Sequence, residues 1–546
     1  MITSVLVLVI PLLSPGSVHA GLTPHARIYI NSNSGFTKPD PVNGGGSGTQ
    51  NNPYIIENWV IDASSAKGIS IQNTTSYFII RKVLIENGGS DDESYAGIYL
   101  DNVINGTIEN NTCKNNFRGI KLNSSSYCTI SGNTCGNCLA YEAMGISLVS
   151  SSYDNLIANT CNYNGPMPIT YYQEGRGIQL EASSNYNILD GNICSNNNHN
   201  GIVLYTSSNN TVSNSTIYNN GYSGIDLYLG SNSNTIFGNN CDNTIRGINF
   251  EDTDNYNIVY NNTCTNNHPD GSDDGGHGIG LWNFCSNNTI FNNTCSGNYY
   301  GISLTSASSN NTLDNNNCSN NSDIGIYLSS SSNNTITLNY LLNNNHNAHD
   351  DGINYWDNGS AGNYWSDYTG VDNYHGENQN IPGPDGIGDT PYNILGGSNQ
   401  DRYPLMSTWP AGGTTTWNVV NIFHLTLSEN FWIYGGSQLL AKFYTYGGSY
   451  QDNTVLKNYA PPVHIVDNEN ISRPGNGAIQ RVELVVVDSG GTALGTIATF
   501  ETSKTIMVAR IGQISAKWPF ANDATKTLYV TELGTISALW PFAPTI

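Results

Sequence analysis

Several acidic, basic and aromatic residues of this chain recur beside a Gly-Ile pair that is repeated along it. Two carboxylates that face one sugar about 5 to 9.5 Å apart can hydrolyse a glycosidic bond. A basic group beside a bound uronate can instead remove a proton, which is the chemistry of a lyase or an epimerase. The candidates for these reactions are Glu174, Asp226, Asp274, Arg176, Arg246 and His277. They lie far apart in sequence, so only the fold can bring them together.

A second set of residues suits recognition of a ligand rather than its conversion. Aromatic rings mixed with amide and charged groups fit the apolar faces and the hydroxyls of sugars. The ligand-binding candidates are Tyr99, Arg118, Lys121, Tyr171, Tyr172, Arg176, Gln179, Asn249 and Tyr327. Most of them stand at a fixed offset from a Gly-Ile pair, while Tyr171 and Tyr172 lie in one of the insertions that precede such pairs. The same pattern fits a solvated face with turn-forming acids, and both interpretations stay open.

The repeat itself predicts the elements that hold these residues. Gly-Ile, followed two residues later by a large apolar residue, occurs twelve times between Gly68 and Tyr355, at a base spacing of 22 to 24 residues with occasional insertions. A fixed period of this length is typical of a solenoid. Alternation with period two places both apolar residues on one side of a short strand, whereas helical repeats need apolar spacings of three to four. The strands therefore stack as the coils of a parallel β-helix.

Stacked coils align each apolar position in a column that runs along the solenoid. The three predicted columns are Ile98, Ile120, Ile146, Ile178, Ile202, Ile225, Ile248, Ile279, Ile302 and Ile326; Leu100, Leu122, Leu148, Leu180, Leu204, Leu227, Phe250, Leu281, Leu304 and Leu328; and Ile108, Ile130, Ile157, Ile188, Val212, Ile236, Ile258, Ile290, Leu313 and Ile336. Parallel crossovers within one sheet are overwhelmingly right-handed. We therefore predict an all-β chain with a right-handed parallel β-helix of about 12 to 13 coils.

Cysteine follows the same repeat. Eight of the eleven cysteines occupy one slot, in the pattern Asn-x-Cys-x-x-Asn, whose last position is Asn in six of the eight: Cys113, Cys135, Cys161, Cys194, Cys241, Cys264, Cys295 and Cys318. Because a buried cysteine behaves as a small apolar residue, we expect a stacked column of free thiols. Disulfides between neighbouring coils are the alternative for an exported chain.

The chain divides into four segments by composition and pattern. Residues 1–20 read as a signal peptide, because an apolar run is followed by small residues at the expected cleavage positions. Residues 21–410 hold the β-helix with its two caps, and residues 411–416 form a Gly/Thr linker. In residues 417–546 the repeat stops, and alternating apolar runs predict a β-sandwich-like domain whose two Trp-Pro-Phe tips are core anchors or partner contacts. The mature chain has no apolar run long enough for a transmembrane span.

The charge balance is strongly acidic. Forty-two Asp and Glu residues against nineteen Lys and Arg give a net charge of −23. This balance argues against binding of nucleic acid and favours a soluble extracellular or cell-surface protein. Glycosylation sequons are abundant, for example at Asn73, Asn105, Asn123, Asn214, Asn358 and Asn470, although Asn-rich turns generate many of them by chance.

The two ends of the repeat resemble a known family. Gly48-Thr49 with residues 53–62 resembles the entry coil of NosD-like β-helix proteins, which belong to the broad group of carbohydrate-binding and sugar-hydrolase β-helices. Residues 362–368, 385–392 and 401–406 are similar to the exit cap of that family. The resemblance covers about residues 45–410 and implies a secreted or surface β-helix, with no defined activity.

Metal binding is a further expectation at the exit cap. The family's cap often carries an Asp-rich run similar to a calcium loop, and the corresponding carboxylates here are Asp367, Asp372, Asp385 and Asp389. Calcium requires six to eight oxygen ligands, so a simple glycine turn is the alternative. Copper, which the family name suggests, fits poorly because the chain has only five Met and no Cys-His cluster in sequence.

Three functions of different classes follow from these observations. The first is a non-catalytic surface or envelope protein that binds a polysaccharide or surface glycan, or assembles with copies of itself. The second is a polysaccharide hydrolase, lyase or epimerase that works on the β-helix face. The third is a metal-binding or metal-delivery protein whose candidate ligands are His268, His277, His346 and His349.

Overall fold

A computed structural model describes residues 21–37, 40–88, 95–138, 140–165, 174–269, 275–376 and 378–407 in full, and beyond them the backbone of the strands between residues 421 and 537. The chain forms two compact units, Met1–Ala411 and Gly412–Ile546. The predicted signal peptide and the predicted linker lie outside the described residues. So do both Trp-Pro-Phe tips.

The first unit is a right-handed parallel solenoid of about 12 turns, as the repeat predicts. Each coil adds one strand to each of three parallel sheets. The first sheet contains Thr23–His25, Trp59–Asp62, Leu84–Glu86, Thr112–Lys114, Thr134–Gly136, Thr160–Asn162, Ile193–Ser195, Thr216–Tyr218, Asn240–Asp242, Thr263–Thr265, Thr294–Ser296, Asn317–Ser319, Tyr340–Leu342 and Tyr364–Trp365. The second sheet contains Ile28–Ile30, Ile69–Thr74, Ala96–Val103, Arg118–Asn123, Met144–Val149, Arg176–Glu181, Ile202–Tyr205, Ser223–Tyr228, Arg246–Glu251, His277–Trp282, Tyr300–Thr305, Ile324–Ser329 and His346–Asp350. The third sheet contains Tyr54–Glu57, Phe78–Arg81, Gly106–Glu109, Thr129–Ser131, Asn155–Ile157, Ile188–Asp190, Thr211–Ser213, Thr235–Phe237, Ile258–Tyr260, Thr289–Phe291, Thr312–Asp314 and Thr335–Thr337.

The glycine of each Gly-Ile pair sits where one coil touches the next. A Cβ atom on Gly119 would lie 2.5 Å from the carbonyl oxygen of Gly145 and 2.8 Å from the Cβ atom of Cys135. Neither neighbour can withdraw, because both belong to the stacked backbone and core. This close contact explains why the repeat keeps glycine, and the Ile and Leu that follow it fill the two predicted columns of the second sheet at full burial.

The third predicted column is wrong at three coils. Ile157 and Ile188 are 39% and 45% exposed, and Ile258 is also outward, while Leu156, Leu189 and Val259 are fully buried in their place. Each of these coils has two adjacent apolar residues, so alternation alone cannot choose between them. The correct residue lies three positions before a buried ladder residue, which is asparagine in these three coils, for example Leu156 before Asn159, and serine once, at Ser215 after Val212.

The last Gly-Ile pair, Gly352-Ile353, is not a coil of the repeat. Ile353 is 73% exposed, and the strand of that coil is His346–Asp350, in which Ala348 takes the column position beside Ile326. The apolar side chain in this column is therefore smaller at the last coil, immediately before the exit cap begins.

Buried asparagines form ladders at the corners of the coil. In one ladder Asn262 donates its backbone N–H to the side-chain oxygen of Asn293 at 3.0 Å. Asn293 donates its own backbone N–H to the side-chain oxygen of Asn316 in the same way. The residue just before each ladder asparagine often has a positive φ, as at Asn261 (53°) and Asn292 (54°), which are both half-buried. Asparagine tolerates this conformation. The recurrent Asn-Asn-Thr sequons therefore follow from the fold. The first asparagine takes the left-handed corner, the second is the ladder residue, and the threonine is the first residue of a strand.

The eight cysteines of the repeat form the predicted column inside the first sheet. All eleven cysteines are buried, unpaired thiols. Cys113, Cys135 and Cys161 pair in register on successive coils, and Ile217 takes the same slot between Cys194 and Cys241. Because isoleucine replaces cysteine within the column, the slot requires a small or medium apolar side chain and not a thiol.

Both ends of the solenoid are covered. A 3-10 helix, Asn33–Thr37, buries Phe36 against the entry coils. At the exit, two short antiparallel pairs, Tyr374–His375 with Ile381–Pro382 and Tyr392–Asn393 with Gln400–Asp401, follow the last coil. Buried Asp401 accepts hydrogen bonds from the indole N–H of Trp365 and the backbone N–H of Asn363 at 2.8 and 2.7 Å, which ties the cap to the core.

The second unit is antiparallel. Its described backbone forms a four-stranded sheet and a five-stranded sheet, consistent with a β-sandwich-like domain. The four-stranded sheet contains Val463–Arg473, Asn421–Ile433, Thr525–Thr531 and Ile511–Lys517, and the five-stranded sheet contains Tyr450–Asn458, Gln438–Thr445, Ile479–Val487, Ala493–Glu501 and Thr535–Ser537. Over the described part of the whole chain, no helix has the length and apolar character needed to cross a membrane.

Candidate functional site

The second sheet presents an outer face whose central column is polar. In every strand the residue between Ile and Leu points away from the core, because successive side chains alternate. Register pairs align this column as Tyr99, Lys121, Ser147, Gln179, Val203, Asp226, Asn249, Gly280, Ser303, Tyr327 and His349. We call the stretch from Gln179 to His349, with the outward residues on either side of it, the polar face. Asp226 and Asn249 are only 7% and 1% exposed although they point outward.

Asp226 is held between two amides at the centre of the polar face. Asn249 donates its side-chain N–H to one carboxylate oxygen at 2.8 Å, and Asn200 donates to the other at 3.0 Å. Burial raises the pKa of Asp226 to about 6, against the opposing effect of the Asn249 hydrogen bond. The carboxyl group therefore changes its charge close to neutral pH.

Arg246 lies beside this carboxyl group and against two rings. Its guanidinium carbon is 4.4 Å from the ring centroid of Tyr222 and 4.8 Å from that of Trp282. Tyr222 in turn stacks on His199, with ring centroids 4.6 Å apart. Burial raises the pKa of Tyr222 to about 12 and lowers that of His199 to about 4, so both rings are neutral at physiological pH.

Glu251 is the second carboxylate of the cluster. It lies in register between Tyr228 on the preceding coil and Trp282 on the following coil. Burial raises the pKa of Glu251, although the charge of Arg246 opposes this shift. Asp226 pairs with Asn249, two residues before Glu251, so strand spacing and rise place the two acidic Cα atoms about 8 Å apart. That spacing is compatible with the carboxyl separation of about 5 to 9.5 Å that glycoside hydrolysis requires.

A stack of four rings continues along the polar face towards the exit cap. His277, Tyr300, Tyr327 and His349 follow one another at centroid separations of 5.3, 5.0 and 5.3 Å. His277 also exchanges a hydrogen bond of 2.7 Å with the hydroxyl of Ser303. The faces of Tyr327 are turned towards its neighbours, so it offers a ligand its edge and hydroxyl rather than the flat face expected for sugar stacking.

The remaining charged candidates of the central coils are engaged with one another. Arg176 pairs with Glu174 and donates to the side-chain oxygen of Gln179 at 2.8 Å. Gln179 donates to Glu181 at 2.6 Å. Glu174 is therefore the partner of an arginine, while the acids of the central cluster are Asp226, which is buried, and Glu251, which is half-buried.

Other predicted residues lie outside this cluster. Tyr99, Arg118 and Lys121 belong to coils nearer the entry end; the ring of Tyr99 is covered by the ammonium of Lys67 at 3.6 Å, and Arg118 is buried beside Phe117. Tyr171, Tyr172 and Asp274 lie outside the described residues, as does most of the insertions that contain them.

The carboxylates proposed for calcium are occupied by hydrogen-bond donors. Asp372 accepts the backbone N–H groups of Asp385 and Gly386, while Asp389 accepts those of residues 373 and 374. Asp367 accepts the hydroxyl of Tyr392 at 3.0 Å. Among the described residues, no group of three or more His, Cys, Asp or Glu side chains is arranged to hold a metal ion. Calcium stays a prediction.

The histidines do not form a copper centre in the described part of the chain. Two tyrosine rings separate His277 from His349 in the ring stack. His346 lies 3.6 Å from Asp323, on another part of the surface of the last coil. The described residues therefore do not fit the copper site that the family name suggests.

Sequence reasoning missed Glu251, Trp282, Tyr222 and Asn200. Glu251 and Trp282 share the outward column two residues beyond Asp226 and its neighbours, so the alternation that identified the central column could have found them. Asn200 and Tyr222 lie just before a strand, and only the stacking of coils places them against Asp226 and Arg246.

Two family models match residues of the solenoid. A family model described as the right-handed β-helix region matches residues 28–185 and 143–264, and one described as the periplasmic copper-binding protein NosD matches residues 265–370. No curated protein matches the chain in sequence. Similar solved structures include the periplasmic alginate epimerase AlgG (12% identity, 60% of this chain and 85% of that chain, TM-score 0.33), the Dettilon tailspike protein (14%, 89% and 83%, 0.38) and an alginate lyase from Paenibacillus (13%, 53% and 94%, 0.29). The repeat, the coil and these two family models support a likeness to NosD-like parallel β-helix proteins over residues 28–370.

Proposed function

We propose that this protein is exported and binds a polysaccharide along the polar face of its second sheet. The observation that carries the proposal is the central cluster, in which outward side chains are buried and mix amides, carboxylates, a guanidinium and aromatic rings. Soluble proteins rarely bury such groups on an outer surface without a use for them, because burial of polar groups costs free energy. Hydroxyl donors and acceptors of a sugar chain match this mixture. The acidic net charge favours neutral over polyanionic glycans.

Binding is tested with a glycan array, followed by titration calorimetry with the best-bound oligosaccharide. Replacing Arg246 by Met removes the central cation and should weaken binding about 10-fold or more, as expected for a charged hydrogen-bonding group. The matched control is Lys114→Met, which removes an outward cation from the first sheet, where Lys114 pairs with Glu86 at 3.0 Å. Equal affinity of both variants, or no glycan bound by the unaltered protein, contradicts the proposal.

Hydrolysis of the bound glycan is a second candidate function, favoured by the neighbouring acids Asp226 and Glu251. Asp226, whose pKa burial raises to about 6, suits the acid. Glu251, which is only half-buried, suits the base. In this assignment Asp226 gives its proton to the glycosidic oxygen as the bond to the anomeric carbon breaks. Glu251 takes a proton from the water whose oxygen joins that carbon.

The same glycans, incubated with the protein and assayed for new reducing ends, decide whether turnover occurs. If it does, Glu251→Gln should abolish turnover and leave binding within about threefold, because only the transition state requires the base. Activity of the unaltered protein should fall above a pH of about 6, where Asp226 loses its proton. Binding without reducing ends leaves the protein a recognition module.

A further inference from the structure

Gly280 belongs to the central column of the polar face, and its two neighbours in that column carry side chains. It is in register with Asn249 on one side and Ser303 on the other. A Cβ atom on Gly280 would lie 3.3 Å from the indole nitrogen of Trp282, 3.4 Å from the side-chain oxygen of Asn249 and 3.5 Å from the ring of His277. The missing side chain thus leaves a position on which three polar side chains converge. We call this position the Gly280 cradle.

Two of the polar atoms at the cradle have no hydrogen-bond partner among the described residues. They are the indole nitrogen of Trp282 and the side-chain oxygen of Asn249, and both are buried. A buried polar atom without a partner destabilises the folded chain, so native proteins rarely leave two together without a use. The pair therefore points to a group that is not part of this chain.

The chemistry of the two atoms is fixed by their surroundings. The indole nitrogen can only donate. The amide nitrogen of Asn249 donates to Asp226 at 2.8 Å, which leaves its oxygen, an acceptor, towards Gly280. A carboxylate cannot donate to Asn249, and an ammonium group cannot accept from Trp282. A hydroxyl does both at once, and an oxygen within about 1 Å of the Cβ position reaches both atoms at hydrogen-bond distance.

We propose that the Gly280 cradle is a subsite for one sugar hydroxyl, which accepts from Trp282 and donates to Asn249. The inference rests on the proposed polysaccharide binding and makes it specific: the sugar unit at this coil presents a hydroxyl, not a carboxylate or an amine, at the cradle. Arg246 against the ring of Trp282 holds the indole in place. Gly280 is a specificity residue, because any side chain fills the subsite.

A first test needs no ligand. Gly280→Ser supplies its own hydroxyl to both atoms, whereas Gly280→Ala adds bulk and leaves both unsatisfied. The serine variant should therefore melt at a higher temperature than the alanine variant, by several degrees in differential scanning calorimetry. Equal melting temperatures, or a less stable serine variant, would mean that the two atoms do not converge on a hydroxyl, and this result overturns the proposal whether or not any glycan binds.

The second test uses cellohexaose, xylohexaose, mannohexaose and the hexamers of galacturonate and glucosamine. The unaltered protein should bind at least one neutral hexamer, and Gly280→Ala, Gly280→Ser and Trp282→Phe should each weaken that binding about 10-fold or more. The control Ser70→Ala alters the same column near the entry cap and should leave affinity unchanged. If Arg246→Met loses binding while all three cradle variants keep it, the proposed function is upheld and the subsite is refuted.

Discussion

Replacing Asn288 by Ala should lower the free energy of unfolding by about 3 to 5 kcal/mol, the largest effect that we expect from one substitution. Asn288 is 1% exposed. Its side-chain oxygen accepts the backbone N–H of Asn257 at 2.8 Å, and its amide donates to the carbonyl of Asp254 and to Asn311. Alanine leaves these groups buried and unpaired on three coils. Urea denaturation followed by circular dichroism measures the loss.

The neighbouring residue provides the control. Asn287 is exposed and has a φ of 58°, a conformation that glycine adopts without strain. Asn287→Gly should therefore change the free energy of unfolding by less than about 0.5 kcal/mol. A small effect at both positions would show that the asparagine ladders are not what holds successive coils together.

Replacing Asp154 by Asn should stabilise the protein, and the gain should increase with pH. Asp154 takes a ladder position that asparagine fills in later coils, for example at Asn187. One of its oxygens accepts the N–H of Cys128 at 2.7 Å, and the other has no hydrogen-bond partner among the described residues. Burial raises the pKa of this carboxyl group from 3.8 to about 7. An amide avoids the buried charge and can donate to the carbonyl of Ser125, as Asn187 does to Ser151.

The sign of the pH dependence follows from proton linkage. Between pH 4 and 7 the unfolded chain has released the proton of Asp154 and the folded chain has kept it, so stability falls as the pH rises. Three pKa units correspond to a loss on the order of 4 kcal/mol, complete above a pH of about 7. The variant should therefore gain most at pH 8 and least at pH 4. Other buried acids are common to both proteins and cancel in the comparison. A gain that does not change with pH contradicts this account.

The solenoid could be predicted from the sequence because stacking imposes the same demand on every coil. Gly119 must lack a side chain where it meets Gly145, and the slot of Cys135 must hold a small or medium apolar side chain where it meets Gly119. Such demands recur at each turn and so are visible as a repeat. The predicted columns were wrong where two apolar residues adjoin, as at Leu156 and Ile157, because period two does not distinguish them. The repeat also failed at Gly352-Ile353, where the exit cap begins.

The site could be predicted only in part, since it depends on contacts between coils that sequence spacing does not reveal. Asp226, Arg246 and Asn249 were identified from their fixed offset to Gly-Ile, and the structure brings all three together. The role of Gly280 was not visible, because in sequence it only takes the variable position between Ile279 and Leu281. Only the orientation of Trp282 and Asn249 towards it distinguishes it.

The crystal structure of the protein with its best-bound oligosaccharide tests the central claim most directly. The account predicts sugar density along the outer face of the second sheet, over Asp226 and Glu251, with one hydroxyl between Trp282 and Asn249. Sugar density on the first or third sheet, at the caps or on the second unit alone contradicts the account.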